Sequence, residues 1–372
     1  MEERIYDYWV ATLQDGYIGD LANMVRLAGG PRDLYGLSRP ELVRKCRISE
    51  KLAGYIEDHR PDIRSLEEGY YRMQEDRITY VNHSDPDFPE KLKNIPGSPY
   101  GIFVKGNLPD PQVPSVAIVG ARECSEYGRI MAEFFASRLA KEGVQIISGM
   151  AAGIDGIAQN AAVDAGGSSF GVLGCGVDIT YPAKNRALYR KLCTGGNGLI
   201  SEYAPGTAAM ARLFPPRNRI ISGLCDVLIV VEARAKSGTL ITVDMAIDQG
   251  RTVMVVPGRL TDELGAGCIN LLYQGALPAT GIEAVLEQLG VNRQMELSDF
   301  SAGFAIKKGP AVSKEAGRIL DIMKIEPQSV DQIASGADMT SARTMIILTR
   351  LEMEGLVREV YPGYYIRQLE LV

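Results

Sequence analysis

The chain has 372 residues with 40 Lys and Arg against 46 Asp and Glu, a formal charge of −6, and 46% of its residues are hydrophobic. That composition describes a globular protein of roughly two to three domains. It excludes a molecule-wide attraction for polyanions, so any nucleic-acid site has to be a local basic surface. No apolar run reaches the roughly 20 residues that cross a bilayer, and the opening MEERIYDYWV lacks the apolar stretch of a signal peptide. The six cysteines are scattered without a C-x-x-C pair, which argues against a zinc ribbon or disulfide framework and for a reduced, cytoplasmic setting. His59 and His83 are the only histidines, and no His-based triad or His-ligated metal site can be built beyond them. Neither a metal nor a cofactor is called for, and no membrane partner.

Residues 1–64 are predicted to form short helices: Tyr8–Leu13, Asp20–Ala28, Arg32–Gly36, Arg39–Cys46 and Ser49–His59. Leu21, Met24, Val25 and Ala28 recur at helical spacing, and Ser38, Pro40 and Glu41 compose a capping box with proline in the first turn. With tight breaks at Gly29-Gly30-Pro31 and Gly36, this is a SAM-like or helix-hairpin-helix-like module, or a structural cap. Trp9, the only tryptophan, lies in it, and its substitution is expected to matter little. Residues 65–98 read as a connecting segment, dense in turn formers around Asp85–Pro89 and Asn94–Pro99.

From 99 to 290 apolar strands alternate with helical patterns. The strand candidates are Gly101–Val104, Val116–Val119, Val144–Ile147, Phe170–Leu173, Leu199–Ser201, Val227–Val231 and Thr252–Val256. Between them fall helices Tyr127–Lys141, Ile157–Ala165, Asn185–Cys193, Pro216–Leu224 and Leu240–Gln249, with Gly281–Leu289 closing the domain. The alternation demands an α/β fold with a doubly wound parallel sheet. Residues 291–312 are polar and read as a linker ending in Lys307-Lys308-Gly309-Pro310. Residues 313–372 give helices Lys314–Lys324, Ser329–Ala334 and Ser341–Glu354, then strands Leu356–Val360 and Tyr364–Arg367, the pattern of a winged helix. Its third helix carries Arg343 and Arg350, offset by Glu352 and Glu354, which favours protein contact over DNA reading.

Ligands of doubly wound sheets bind beyond the carboxyl ends of the strands. The stretch Val144–Ala162 is the centre of that edge: a buried strand passes through Ser148, Gly149 and Gly153 into a helix, with Asp155 placed as its N-cap. The other strand ends are furnished alike. They carry Gly120 and Arg122; Gly174 and Gly176, followed by Tyr181-Pro-Ala-Lys184-Asn185-Arg186; Glu202, followed by Phe214-Pro-Pro-Arg217-Asn218-Arg219; and Glu232, followed by Lys236-Ser237-Gly238-Thr239. With Pro257-Gly258 after Thr252–Val256, six such ends in succession point to an anion-binding crevice. Arg122, Lys184, Arg186, Arg217 and Arg219 are too many for one dinucleotide, and suit the successive phosphates of a single strand. No G-x-G-x-x-G opens the first helix, and no P-loop is present. The apolar segment Leu264–Ala276 is either a core helix or, where exposed, an interface.

Taken together, GARECSEYG, SGMAAGIDGIAQNAA, LGCGVDITYPAKN, SEY with FPPRNRIISGLCD, VVEARAKSGTLIT and VPG resemble the DNA-processing protein A (DprA, or Smf) family over roughly Asp85–Gly290. The helical start and winged-helix end are similar to that family's flanking domains. The resemblance implies an extended Rossmann-like core that binds single-stranded DNA without turnover. It implies a homodimer that protects incoming DNA in natural transformation and loads the RecA recombinase past single-strand-binding protein. Carried over by position, the phosphate contacts fall on Gly120 and Arg122, near Lys184, and on Arg217, Asn218 and Arg219. Ser148, Gly149, Gly153, Arg186, Ser237, Gly238 and Thr239 complete the expected nucleic-acid site, and no catalytic residue is expected.

A second reading stays open. The S-G-x-x-x-G-I-D and S-G-T arrangement also resembles Rossmann-like nucleotide binders such as nucleoside-monophosphate phosphoribohydrolases, in which Glu232 or Asp155 would do the chemistry. Structural roles also suffice for both, Asp155 as a cap and Glu232 as a partner of Arg217 or Arg219.

Overall fold

The computed structural model describes residues 2–14, 20–291, 304–306, 313–324 and 326–371, and the chain divides into two units, Met1–Val291 and Asn292–Val372. The first unit opens with helices α1 (Glu2–Thr12), α2 (Leu21–Ala28), α3 (Pro31–Gly36), α4 (Arg39–Cys46), α5 (Glu50–Asp58) and α6 (Ile63–Glu75). Local chemistry sets their ends. The Asp20 carboxylate accepts the Asn23 N–H and starts α2, Gly29 in the left-handed region ends it, and the Ser38–Glu41 capping box starts α4. These helices bury Trp9, Leu34, Leu42 and Ile56, and that apolar cluster runs on without a break into Tyr80, Phe103, Leu188 and Leu199 of the α/β part.

The expected connecting segment holds more structure than its turn formers suggest. Helix α6 buries Leu66, Tyr70 and Met73, strand β1 spans Ile78–Asn82, and a short helix α7 spans Glu90–Lys93. Strands β2 (Gly101–Gly106), β3 (Ser115–Val119), β4 (Gln145–Ser148), β5 (Ser169–Leu173), β6 (Gly198–Ser201), β7 (Val227–Val230), β8 (Thr252–Val255) and β9 (Leu277–Pro278) follow. Between and after them lie helices α8 (Glu126–Lys141), α9 (Ile154–Asp164), α10 (Arg186–Leu192), α11 (Phe214–Leu224), α12 (Gly238–Asp248), α13 (Ala266–Tyr273) and α14 (Ile282–Gln288).

The nine strands form one sheet in the order β1-β2-β6-β5-β4-β3-β7-β8-β9. From β6 to β9 every pairing is parallel. The strands at its centre, such as SVAIV in β3, are buried throughout, as both-face burial requires. One expectation is corrected here: Gly101–Gly106 pairs antiparallel with β6, and β1 pairs antiparallel with it. Strand β2 follows β1 across a segment that carries only the short helix α7, and the two pair directly as antiparallel neighbours. The chain builds from β3 outward through β4, β5 and β6, then returns to the other side of β3 to lay down β7, β8 and β9. The reversal lies between β3 and β7, so the crevice of this sheet opens there.

In the second unit, helices α15 (Lys314–Ile322), α16 (Val330–Ala337) and α17 (Ser341–Met353) surround Ile319, Ile333, Leu348 and Leu351. They are joined to the hairpin of β12 (Val357–Tyr361) and β13 (Tyr364–Arg367), with β11 (Gln328–Ser329) added beside β13. Most of the expected linker lies outside the described residues. Phe304–Ile306 within it forms a strand, β10, against β14 (Leu369–Leu371). Among the described residues no helix is long and apolar enough to cross a membrane.

Candidate nucleic-acid interface

A cleft of about 360 Å³ opens at the reversal of the sheet. Its walls come from three places. Gly120, Ala121 and Arg122 leave the end of β3, Phe214, Asn218 and Ile221 come from α11, and Lys236 to Thr239 enter α12. A smaller recess of about 90 Å³, reached past Ala151, Arg122 and Phe214, is bounded by Gly174, Tyr181 and Pro182. The helix starts are held close to the strand ends. Gly153, the N-cap of α9, has φ of 75°. A Cβ there would stand 2.2 Å from the carbonyl oxygen of Ala121, so only glycine allows this approach. Thr239 Oγ1 donates to the Gly120 carbonyl at 3.3 Å, while Ser237 Oγ accepts the Thr239 N–H at 3.2 Å and caps α12.

Arg122 is exposed at the rim, and no hydrogen bond or ion pair ties it to the described residues. Glu126, an acid within its reach in sequence, is paired with Arg129 instead. The Arg122 guanidinium lies 5.9 Å above the Phe214 ring, and the Tyr181 ring stands 5.4 Å from Phe214. A free guanidinium, the Phe214 ring, the cation of Lys236 and the α12 N-terminus therefore line one cleft, and Tyr181 lines the recess beside it. These groups supply what a phosphodiester and its bases need: charge-assisted donors and a surface to stack on.

The other expected contacts divide. Ser237, Gly238, Thr239, Gly120 and Asn218 line the cleft as the sequence suggests. Lys184, in the short turn after Tyr181, and Arg186, at the start of α10, are exposed and lie outside the cleft itself. Ser148 is corrected: it is fully buried, and its hydroxyl donates to the Ile118 carbonyl at 2.6 Å. Gly149 is corrected with it, because its N–H is taken by Asp155 Oδ2 at 3.1 Å.

Arg217 has a second role. It lines the cleft and its recess, yet it is 4% exposed and donates to the carbonyls of Gly149 and Val172 and to Asn218 Oδ1, so it also braces the fold from inside. Its neighbour Arg219 turns the other way. It is ion-paired with Glu202, donates to the Gly97 and Pro216 carbonyls, and borders a separate cavity of about 620 Å³ beside α2. Positions two apart on a helix point about 200° apart, to nearly opposite sides, so an R-N-R run cannot put both arginines in one groove.

Asp155 is not a cap. Helix α9 begins at Ile154, which puts Asp155 in its first turn, buried against Arg217. Burial pushes its carboxyl above the usual carboxylate range, with Arg217 and the Gly149 N–H pulling it back, while full burial brings the guanidinium down to about 10. Glu232 is no partner of Arg217 or Arg219, since its carboxylate accepts from Ser125. Both candidate acids of the hydrolase reading are thus held by internal bonds.

Phe214, Tyr181 and Lys236 were not assigned to the site from sequence. Their signal was present, because each lies within four residues of a basic strand-end motif, and nucleic-acid grooves interleave aromatic and basic side chains.

A mostly parallel doubly wound sheet with a cleft at its reversal places the chain in the extended Rossmann class. Residues 79–290 match the DNA recombination-mediator protein A family, and residues 307–361 match the DprA winged helix domain; the chain belongs to the DprA/Smf family. It is 42% identical over 205 residues to the DNA processing protein DprA of Streptococcus pneumoniae, covering 55% of this chain and 72% of that one. It is 34% identical over 280 residues to protein Smf of Escherichia coli, covering 75% of each. The crystal structure of DprA from Streptococcus pneumoniae superposes with a TM-score of 0.65 at 31% identity, over 76% of this chain and 97% of that one. The structure of DNA processing protein A from Helicobacter pylori, described for its single-stranded DNA binding mode, gives a TM-score of 0.51 at 27% identity, over 57% and 95%.

Proposed function

We propose that this protein binds single-stranded DNA in the cleft between β3 and β7, with the backbone held at Arg122, Lys236 and the start of α12 and bases resting on Phe214 and Tyr181. The observation that carries the reading is the free Arg122 guanidinium over an aromatic ring at the reversal of the sheet. The Helicobacter pylori relative, described as binding single-stranded DNA, supports it. Binding proceeds without catalytic turnover, since the two carboxylates that could act as acids are used inside the fold.

The finer reading is that of a mediator: a homodimer that protects the strand and passes it to the RecA recombinase in place of single-strand-binding protein. The description of its family as recombination mediators supports this. Helix α13, which buries Cys268 and Leu271 but leaves Tyr273 93% exposed, is a candidate for that contact. Light scattering at tens of micromolar is expected to give twice the protomer mass, and a monomer there counts against the dimer.

The direct test of the site is Arg122→Ala. A charge-assisted hydrogen bond contributes about 1.5–3 kcal/mol, so single-strand affinity falls by about one to two decades, with a shallower salt slope and an unchanged melting temperature. Arg122→Lys restores part of the loss, because an ammonium cannot make a two-pronged contact. Intact binding by a well-folded Arg122→Ala protein would overturn the assignment.

A further inference from the structure

Glu232, just beyond the end of β7, is 6% exposed, and its bonds all go to one residue. Ser125 donates its backbone N–H to Oε2 at 2.9 Å and its hydroxyl to Oε1. Among the described residues no Lys or Arg forms an ion pair with this carboxylate. Ser125 is at the same time the N-cap of α8, its Oγ accepting the Gly128 N–H at 3.0 Å. Room for the carboxylate is made by an absence, since a Cβ on Gly128 would stand 2.3 Å from Oε2. Burying a carboxylate without a cation is costly, and the positive end of the sixteen-residue helix α8 together with two donors offsets that cost.

What this arrangement holds is the turn from β3 to α8. At its start the Ile154 N–H donates to the Ala121 carbonyl at 3.1 Å, and Thr239 Oγ1 donates to that of Gly120. At its end stands Ser125, gripped by Glu232. Arg122 lies between the two anchors with no bond of its own to fix it.

We propose that Glu232 is a positioning residue for the phosphate-binding turn: it clamps Ser125 so that Arg122 is presented over Phe214 at the mouth of the cleft. The proposal rests on the reading of Arg122 as a phosphate ligand. Its sign runs against simple electrostatics. Glu232 is an anion close to a site for an anionic strand, so removing its charge should tighten binding if charge were its only influence. A clamp predicts the reverse.

The experiment is a double-mutant cycle of Glu232→Gln and Arg122→Ala, read as oligonucleotide affinity per folded molecule. Glu232→Gln keeps the shape but replaces one acceptor with a donor. It is expected to weaken single-strand binding about tenfold, on the scale of one charge-assisted bond, and to have no further effect once Arg122 is alanine. Ser125→Ala, which removes the hydroxyl contact but not the backbone one, should give a smaller loss, and Ser125→Thr should restore it; this pair carries the test if Glu232→Gln does not fold. Tighter or unchanged binding by Glu232→Gln, or losses that simply add across the cycle, overturns the clamp while leaving Arg122 as a ligand. Unchanged binding by Arg122→Ala overturns the phosphate reading and the clamp together.

Discussion

Two arginines in the motifs at the cleft show how burial decides a role. Arg122 is exposed and unbonded among the described residues, and Arg217 is 4% exposed with Nη1 bound to two backbone carbonyls and Nε to Asn218. A buried polar group left without its partner costs about 1–3 kcal/mol. Arg217→Met strands the Gly149 and Val172 carbonyls and takes the nearby cation from buried Asp155, so it should destabilise the fold by at least about that amount in urea titrations at neutral pH, and Asp155→Leu added to it should recover part of the loss. A binding defect in Arg217→Met that persists at full folding would make it a ligand after all. At the opposite end of the strands, Lys91 and Ser115 bond the carboxylate of Asp226. Burial alone would raise that carboxyl, but these bonds more than reverse it and hold it below its ordinary 3.8. A carboxylate with a lowered native pKa contributes stability that is present above its unfolded value and lost as pH falls through the native one. Stability should fall on acidification below about pH 3.8, and Asp226→Asn should flatten that part of the profile, measured by thermal melts across acid buffers.

At the scale of elements, the N-terminal helices are part of the first unit's core rather than an appendage. Trp9 of α1 is fully buried, donates to the His59 carbonyl at 3.3 Å and meets the Tyr35 ring edge-on at 5.1 Å. The expectation that its substitution matters little concerns DNA binding and does not extend to the fold. Trp9→Ala should cost about 3–5 kcal/mol of stability, read from denaturant unfolding, while affinity per folded molecule stays unchanged. The third helix of the winged-helix unit presents a different surface. Arg343 is paired with Glu315 and Arg350 with Glu354, while Ile346 is 63% and Met353 86% exposed. That is a poor face for reading a duplex, where free cations are the first requirement.

For the whole molecule, a chain of net charge −6 binds a polyanion only where its cations gather and its carboxylates are withdrawn. The residues lining the cleft run from Val119 to Thr242, all within the first unit. Cutting the chain after the first unit should leave single-strand affinity and its salt slope unchanged. A slope shallower by one or more would mean that the second unit also carries phosphates. Blunt duplex should bind more weakly than single strands at every salt concentration, because paired bases cannot lie on Phe214 and Tyr181.

Much of this was settled by local sequence. Continuous apolar runs bounded by glycine dictate buried parallel strands, helical spacing and caps dictate the helices, and Gly120, Arg122 and Ser237–Thr239 sit at strand and helix ends where a doubly wound sheet must put its ligand. The three helices and hairpin of the second unit were legible for the same reason. What the sequence left open depends on contacts between residues far apart in the chain. The direction of Gly101–Gly106 follows from what precedes it in space. Whether Arg122, Arg217 or Arg219 meets solvent depends on which carbonyls and carboxylates the packed elements bring beside it: none for the first, Gly149 and Val172 for the second, Glu202 for the third. Ser148, Asp155 and Glu232 look like site residues by type and place. Only the tertiary structure makes them supports, because a buried polar group must find its partner inside the protein, and the partner comes from another strand or helix.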